Sequence, residues 1–307
     1  MEVIFMHAVI QKDYNGIDSI QTVNISTPKS SIIGALVDVK YVPVLPWDIK
    51  NEKGLLTQMH TSSLPKILGY GFSGTIHDNN IFGPTRGTRV VGASPNGTYA
   101  EIINASIPTY VFLLPDNVSL EAGATIFGGA DTAMMMIQSV GVHPNDIVLL
   151  IGASGSIGSY LYQMLLTLKA NVTILSSKRS FKYTKSIFPS AQVVSDIDLI
   201  SNNSVNFVLD TAGSETLLNQ AENKLFEGGT LFTSALPTYQ KQRIDIYSEF
   251  NNNPISPNRY KEIIEMLSNG TLKAHINKIF KFNDVKAAQH YEDETASRGR
   301  ILVNINE

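Results

Sequence analysis

The stretch from Asp146 to Gly158 constrains the fold of this chain more than any other. Residues Ile147 to Ile151 are aliphatic and mostly β-branched, which is typical of a strand buried on both faces of a sheet. The strand ends in small residues, and a segment with apolar residues at helical spacing follows. Such a turn offers backbone N–H groups and the positive end of a helix dipole to a phosphate. We therefore predict a phosphate-binding site here.

The composition excludes several functions. The chain of 307 residues is long enough for about two domains. Its 24 Lys and Arg against 27 Asp and Glu argue against a nucleic-acid or acidic-membrane partner. The absence of cysteine excludes disulfides, thiolate nucleophiles and Cys-ligated zinc. No run approaches the ~18 apolar residues of a membrane span, so we expect a cytoplasmic protein with no membrane partner.

The two halves of the chain have different patterns. Short strands separated by turns predict an all-β half, a closed or partly closed barrel. Its strands are expected at residues 3–10, 20–25, 34–44, 67–76, 89–92, 99–103 and 111–114.

From residue 119 the pattern predicts a helix to about 140, and then strands and helices alternate. This indicates an α/β fold with a parallel sheet wound on both faces, whose ligands bind at the carboxyl ends of the strands. The strands are expected at 147–151, 172–176, 192–194, 207–210 and 230–234, and the helices at 156–169, 181–188 and 215–226. Helices at 258–269 and 284–293 and a strand at 301–305 form a tail that we expect to return to the N-terminal half.

The glycine turn resembles the dinucleotide fingerprint Gly-x-Gly-x-x-Gly. Gly155 and Gly158 fill its second and third positions, and Ala153 stands at the first. The alternative is that the glycines only make a tight turn, but the strand–turn–helix context favours a nucleotide site. The residues assigned to it are Gly152, Ala153, Ser154, Gly155, Ser156, Ile157 and Gly158.

The end of the second strand indicates which nucleotide binds. An acidic residue there would hold a ribose 2′-hydroxyl, but the sequence is Ser176-Ser177-Lys178-Arg179. Two hydroxyls and two cations match a 2′-phosphate, so NADP(H) is preferred over NAD(H), and S-adenosylmethionine is disfavoured. The alternative is that Lys178 and Arg179 are solvated residues at the start of a helix.

A series of short motifs follows in order along nearly the whole chain. They are Pro46-Trp-Asp-Ile-Lys50 with Gly54, Ile67-Leu-Gly-Tyr-Gly-Phe-Ser-Gly74, Gly87-Thr-Arg-Val-Val91, Gly97-Thr-Tyr-Ala-Glu101, Leu114-Pro-Asp, Asp131-Thr-Ala133, the glycine turn, Asp210-Thr-Ala-Gly213 and Gly299-Arg-Ile-Leu302. Each is weak alone, but in this order they resemble the medium-chain dehydrogenase/reductase superfamily, and within it the zinc-free quinone oxidoreductase (zeta-crystallin-like) branch.

The resemblance implies a GroES-like barrel domain formed by residues 1–118 and 251–307, and a Rossmann domain formed by residues 119–250. It implies an active site in the cleft between the domains, commonly in a homodimer. We assign Thr211 and Ala212 of the Asp210 motif to the cofactor site.

The zinc-dependent relatives carry three metal ligands, and the matching positions here hold Leu45, Tyr70 and Gly128. None of these can bind zinc, and the histidines at positions 7, 60, 77, 143, 275 and 290 show no ligand spacing. We therefore predict no metal. Without a Lewis acid to polarise an alcohol, reduction is favoured over alcohol oxidation.

The resemblance implies a zinc-independent NADPH-dependent reductase of small quinones or α,β-unsaturated carbonyl compounds. Tyr70 and Thr132 are the candidate catalytic residues, with Tyr70 as a proton donor or oxyanion partner or, alternatively, a packing aromatic. The substrate pocket is expected to include Tyr41, Leu45, Trp47, Asp48 and Gly128, and the alternative for Asp48 is a structural hydrogen bond that fixes its loop.

Two residues depart from the branch. Lys50 stands where its members often have Tyr, and Leu45 replaces the usual Asn, so the substrate range is expected to differ. A different class stays open: a protein that binds NADPH without turning over a metabolite and acts as a redox-responsive or interaction partner.

Overall fold

The computed structural model describes residues 5–29, 34–57, 63–78, 83–295 and 298–307. It contains a six-stranded parallel sheet with helices and two largely antiparallel sheets, which confirms the predicted α/β class with a second, β-rich unit. In the described part of the chain, no helix is long and apolar enough to cross a membrane.

The N-terminal part forms two sheets around one core. Its elements are β1 (Phe5–Gln11), β2 (Gln21–Ser26), β3 (Ala35–Pro43), α1 (Pro46–Glu52), β4 (Lys66–Ile67), β5 (Gly71–Ile76), β6 (Arg89–Ala93), β7 (Ile102–Ala105) and β8 (Val111–Leu113). Strands β2, β1 and β4 form one sheet, and the others join a seven-stranded sheet completed by the C-terminus. Val37, Phe72 and Tyr99 are fully buried in the shared core, as the alternating apolar pattern requires.

The parallel sheet occupies the middle of the chain. Its elements are α2 (Leu120–Ala124), α3 (Asp131–Val140), β9 (Ile147–Ile151), α4 (Ser156–Thr167), β10 (Asn171–Leu175), α5 (Phe181–Ile187), β11 (Gln192–Val194), β12 (Val205–Asp210), α6 (Glu215–Ala221), β13 (Leu225–Thr233) and β14 (Tyr247–Glu249). The strand order is β11-β10-β9-β12-β13-β14. The connections therefore reverse direction between β9 and β12, and a crevice at the carboxyl ends of these strands is the expected ligand site.

The C-terminal tail divides between the two cores. It contains α7 (Pro257–Ser268), β15 (Ile276–Lys281), α8 (Val285–Glu294) and β16 (Arg300–Asn304). Strands β15 and β16 extend the sheet of β3, and of these two only β16 corresponds to a predicted strand, at 301–305. Helix α7, however, buries Tyr260 and Ile263 in the core shared with α3 and β9, whereas the sequence placed residues 251–307 with the barrel. The domain boundaries stay predictions. The packing of α7 favours a boundary after this helix, where the chain returns to the barrel, instead of at residue 251.

Three local predictions differ from the structure. Residues 46–52 form α1, whereas the sequence suggested a loop, and Pro46 begins this helix at a position that proline favours. The strand expected at 67–76 is interrupted because Gly69 has a φ of +87°, a left-handed conformation. The helix expected at 119–140 is broken by Phe127 and Gly128, which have non-helical backbone angles. The short edge strands β14 and β15 were not predicted, and residues 3 and 4 of the first predicted strand lie outside the described residues.

Candidate active site

The glycine turn after β9 is built around two backbone requirements. Gly152 has a φ of +89°, and a Cβ there would lie 2.4 Å from Thr211 Oγ1. A Cβ on Gly158 would lie 2.2 Å from the Gly152 carbonyl oxygen, so α4 packs against the strand end with no room for a side chain. Gly155 caps α4 in an extended conformation. These features match the roles of glycine in a dinucleotide-binding turn.

The start of α4 also presents an unsatisfied polar atom. Ser156 is only 9% exposed, and its Oγ has no hydrogen-bond partner among the residues described. It lies at the N-terminus of a helix of 12 residues, where the first N–H groups also lack intrahelical partners. A buried hydroxyl without a partner costs free energy, and a phosphate oxygen would satisfy it. The turn therefore fits a nucleotide phosphate.

The other residues of the glycine turn pack against the core or form hydrogen bonds with the C-terminal segment. Ala153 is buried and Ile157 is half-buried against the core of α3. The Ser154 carbonyl accepts a hydrogen bond of 2.8 Å from the Gly299 N–H, and Gly155 pairs with Gly299 in a parallel bridge. The C-terminal segment therefore runs directly beside the turn.

The residues after β10 separate into buried hydroxyls and exposed cations. Ser176 is buried and shares a 3.0 Å hydrogen bond with the Thr184 hydroxyl, and Ser177 Oγ accepts the Ser180 N–H at 3.3 Å. Lys178 and Arg179 are exposed, and their side chains have no hydrogen bond or ion pair with other described residues. The cations are therefore available to an anion, whereas the Ser176 hydroxyl is engaged.

Arg298 is a further cation here that the sequence did not single out. Its guanidinium donates to the Arg179 carbonyl oxygen at 3.2 Å and lies 5.7 Å from the centre of the Tyr183 ring. Only the pairing of Gly299 with the glycine turn brings Arg298 to this place, so no local signal could have found it. Three cations, Lys178, Arg179 and Arg298, thus belong to one exposed corner at the end of β10.

Thr211 and Ala212 lie at the end of β12, beside the turn. Thr211 Oγ1 donates to the carbonyl oxygens of Ile151 and Gly152 at 3.1 and 3.2 Å. The Ala212 N–H donates to Asp210 Oδ1 at 2.9 Å. Thr211 therefore holds the carboxyl end of β12 against the turn after β9, which keeps the crevice between these strands in one shape.

The three positions that match zinc ligands in relatives converge at the kink between α2 and α3. A Cβ on Gly128 would lie 2.7 Å from Leu45 Cδ2. The ring of Tyr70 lies edge-on to the ring of Phe127, with centroids 6.4 Å apart. Leucine, tyrosine and glycine at these positions do not fit zinc, which requires imidazole, thiolate or carboxylate ligands. Among the described residues, no group of three His, Cys, Asp or Glu could hold a metal; His60 lies outside them.

Arg300 joins this cluster to the barrel. It is 3% exposed and donates hydrogen bonds to the carbonyl oxygens of Val44, at 3.0 Å, and of Gly128. A Cβ on the next residue, Gly129, would lie 3.1 Å from the unsatisfied Ser156 Oγ. The kink is therefore in contact with both the barrel segment before α1 and the glycine turn.

Tyr70 and Thr132 differ in the hydrogen-bonding capacity that they retain. The Tyr70 side chain is 39% exposed, and its hydroxyl has no hydrogen bond within the described chain. Burial, together with the Asp131 carboxylate, raises the pKa of Tyr70 to about 12, so it stays protonated at neutral pH. The Thr132 hydroxyl donates to Asp131 Oδ1 at 3.2 Å, so its proton is engaged.

Helix α1 places its residues on two faces. Trp47 stacks on Phe250 with ring centroids 6.2 Å apart, and so contacts the segment after β14. Asp48 and Glu52, four residues apart, face the barrel interior, where Gln289 donates to Glu52 at 2.8 Å. Burial raises the pKa of Asp48 to about 7, against the opposing effect of Lys66 and Arg300. The structure thus brings Trp47 against Phe250 and places Asp48 near the charges of Lys66 and Arg300.

Tyr41 lies apart from the other predicted pocket residues. It is 8% exposed and packs with Ala124 and Leu302 in a small buried cluster. Burial and a hydrogen bond to Glu121 raise the pKa of its hydroxyl. The structure therefore does not bring Tyr41 together with Trp47.

Two surface cavities differ in their relation to the strand ends. One of about 280 Å³ includes Thr233 and Phe250, at the carboxyl ends of β13 and β14. The other, of about 400 Å³, includes Asp146 and Thr230 at the opposite edge of the sheet. Because ligands of parallel sheets bind beyond the carboxyl ends, only the first adjoins the candidate site.

Comparisons with known proteins agree with this architecture. The family described as zinc-binding dehydrogenase matches residues 187–303. A zinc-type alcohol dehydrogenase-like protein of Schizosaccharomyces pombe is 28% identical over 228 residues, 71% of this chain and 66% of the relative. A probable quinone oxidoreductase of the same yeast is 23% identical over 280 residues, 82% of this chain and 84% of the relative. The structure of the quinone oxidoreductase from Coxiella burnetii superposes with a TM-score of 0.85 at 20% identity, covering 98% and 99% of the two chains.

The sequence matches and the fold thus agree with the order of motifs along the chain. Both the parallel sheet and the flanking antiparallel sheets are present in one polypeptide. These matches agree with the resemblance to the medium-chain dehydrogenase/reductase oxidoreductases, and a zinc-type alcohol dehydrogenase-like protein and a quinone oxidoreductase are among the proteins that the chain is similar to.

Proposed function

We propose that this protein is a zinc-independent, NADPH-dependent reductase of quinones or α,β-unsaturated carbonyl compounds. The observation that carries the proposal is the convergence of Leu45, Tyr70 and Gly128 at the kink before α3, next to the phosphate-binding turn. A site with no metal-binding side chains at these positions cannot polarise an alcohol through zinc. Substrates that are already electrophilic need no such Lewis acid.

The preference for NADPH rests on the corner after β10. Lys178, Arg179 and Arg298 supply positive charge there, and none of the three side chains has an acidic partner among the described residues. Arginine binds phosphate through planar, charge-assisted hydrogen bonds. A ribose 2′-phosphate would neutralise this corner, whereas a 2′-hydroxyl would leave the cations unpaired.

In this proposal the protein positions the reactants and excludes water. When bound, the reduced nicotinamide would supply a hydride. The turn and the Ser156 hydroxyl hold the phosphates, and Thr211 fixes the adjoining strand ends. Trp47 and Phe250 form an aromatic side of the cleft, and the Tyr70 hydroxyl can donate a hydrogen bond to a substrate oxygen.

The first test is NADPH consumption, followed by absorbance, with 9,10-phenanthrenequinone, benzoquinone and a short enone. We expect NADPH oxidation with at least one of them and a clearly lower rate with NADH. NADPH binding by isothermal titration serves as the control. Binding without consumption of NADPH by any of these substrates would contradict the proposal and favour a non-catalytic, redox-responsive or interaction protein.

A second test addresses Tyr70. Replacing Tyr70 with Phe removes a hydroxyl that has no other partner in the described chain, so folding should be unaffected. If this hydroxyl donates to the substrate oxygen, kcat should fall by about 10². The matched control is Tyr14→Phe, at a half-buried tyrosine between β1 and β2 that lies against Gly54. Unchanged enone turnover in Tyr70→Phe would leave Tyr70 as a packing residue.

The end strand of the parallel sheet supports a homodimer. Strand β14 lies at the edge of this sheet, and Tyr247 within it is 64% exposed. Ile244, just before it, is 95% exposed. An exposed edge with large apolar side chains is suited to pairing with the same edge of a second copy. We propose this edge as the dimer contact.

A further inference from the structure

Lys50 carries a charge in the cleft that the rest of the chain does not neutralise. It is half-buried on α1, and its Nζ donates to the Ala235 carbonyl oxygen at 3.0 Å. An ammonium has three N–H donors, and this is its one hydrogen bond within the described residues. No carboxylate forms an ion pair with it there. Two donors of a partly desolvated cation are therefore left for another acceptor.

The position of Lys50 is at the strand ends where a ligand of this fold binds. Ala235 follows β13, and a Cβ on Gly213 would lie 2.9 Å from the Ala235 Cβ. Gly213 in turn follows Thr211, which contacts the glycine turn. The ends of β9, β12 and β13 thus form one row that leads from the phosphate-binding turn to the Lys50 ammonium.

The surroundings of Lys50 favour an anionic or carbonyl oxygen. Its Nζ lies 5.8 Å from the centre of the Trp47 ring, on the side of α1 that contacts Phe250. Burial lowers the pKa of Lys50, and no neighbouring charge opposes this effect. A partly buried cation of this kind is stabilised by a ligand oxygen that carries negative charge, and it gives up a proton more readily than an exposed lysine.

We propose that Lys50 is a catalytic residue that binds the substrate oxygen on which negative charge develops. This inference rests on the proposed reductase function. Hydride addition to the β-carbon of an enone forms a C–H bond, and the π electron pair moves through the α-carbon onto the carbonyl oxygen. Lys50 donates a hydrogen bond and then its proton to that oxygen, which yields an enol, and the neutral amine regains a proton from water. The nicotinamide that gave the hydride is oxidised, so electrons balance.

The alternative role for Lys50 is structural, because its hydrogen bond to Ala235 also ties α1 to the end of β13. A structural tie and a substrate contact predict different behaviour with an unreactive ligand. 4-Nitrophenol serves as this probe, because its phenolate absorbs visible light whereas its phenol does not. A cation that stabilises an oxyanion should ionise the bound phenol at a pH below its ordinary pKa.

The experiment compares wild type, Lys50→Met, Lys50→Arg and Lys53→Met by titration with 4-nitrophenol in the presence of NADP⁺. The titration is made at a pH below the ordinary pKa of this phenol, where the free probe is not ionised. Lys53→Met is the matched control, since Lys53 lies at the end of the same helix but pairs with Asp293 at 2.6 Å. We expect a phenolate band with wild type, Lys50→Arg and Lys53→Met, and none with Lys50→Met. Enone turnover should fall about 10²-fold in Lys50→Met, and Lys50→Arg should keep the band but turn over slowly, because arginine does not release its proton.

The outcomes separate this inference from the proposed function. A phenolate band that depends on Lys50, in a protein that oxidises no NADPH, would support the anion site while contradicting the reductase. NADPH oxidation that is equal in wild type and in folded Lys50→Met, with no phenolate band in wild type, would overturn the role of Lys50 and leave the reductase intact. If Lys50→Met is unfolded by circular dichroism, the absence of a band in wild type and Lys50→Arg is sufficient to overturn it.

Discussion

Replacing Gly158 with Ala is expected to cost about 3 kcal/mol of unfolding free energy, at the upper end of the usual range for overpacking. The new Cβ would lie 2.2 Å from the Gly152 carbonyl oxygen and 2.7 Å from its carbon. Both are backbone atoms of the turn, so α4 must move away from β9. That movement displaces the N–H groups and the Ser156 hydroxyl that we propose bind the phosphates, and NADPH binding should be lost with the stability.

Thermal unfolding followed by circular dichroism measures this effect, at roughly 2–4 °C in Tm for each kcal/mol. The matched control is Gly270→Ala, where φ is +79° but no atom lies within 4 Å of the new Cβ. Its cost should be limited to the backbone strain of about 1–2 kcal/mol, with NADPH binding intact. Equal losses of stability, or normal NADPH affinity in Gly158→Ala, would show that the turn has more room than these distances indicate.

The parts of the fold that follow from local chemistry could be predicted from the sequence. Strand β9 has the bounds that its apolar run indicated, and α4 begins at the predicted residue, because a buried strand followed by small residues has few other solutions. Helix α1 could not be recognised in the same way. It has only seven residues, and its polar residues Asp48 and Glu52 face the barrel interior, so it lacks the apolar stripe of an ordinary surface helix.

The candidate site was predictable where a residue acts through its own motif and unpredictable where contacts join distant segments. The glycine turn is visible in the sequence because its glycines satisfy backbone constraints within a few residues. The contribution of Arg298 depends on the bridge between Gly155 and Gly299, and that of Lys50 depends on Ala235. Each of these contacts joins residues more than a hundred positions apart, and no periodicity encodes such a pairing.

The double variant Lys178→Gln/Arg179→Gln should remove the preference for NADPH. Both side chains are exposed at the end of β10 and have no other partner in the described chain, so the fold should not depend on them. A hydrogen bond to a charged group contributes about 1.5–3 kcal/mol, so losing two of them should raise the NADPH Kd at least about 10²-fold. The NADH Kd should stay nearly constant, because NADH carries no 2′-phosphate.

Isothermal titration measures the Kd of NADPH and of NADH for wild type and for the variant. It is made at low and at moderate salt, because screening should weaken NADPH binding to wild type and not to the variant. The matched control is Lys185→Gln on α5, since the Lys185 ammonium already donates to the Ala191 carbonyl oxygen at 2.8 Å. If wild type binds NADH as tightly as NADPH, the cations after β10 are solvated residues. If the double variant loses NADPH selectivity, Arg298→Gln loses part of it and Lys185→Gln keeps it, the three cations form one site, because the pairing of Gly299 with the turn holds Arg298 beside the Arg179 backbone.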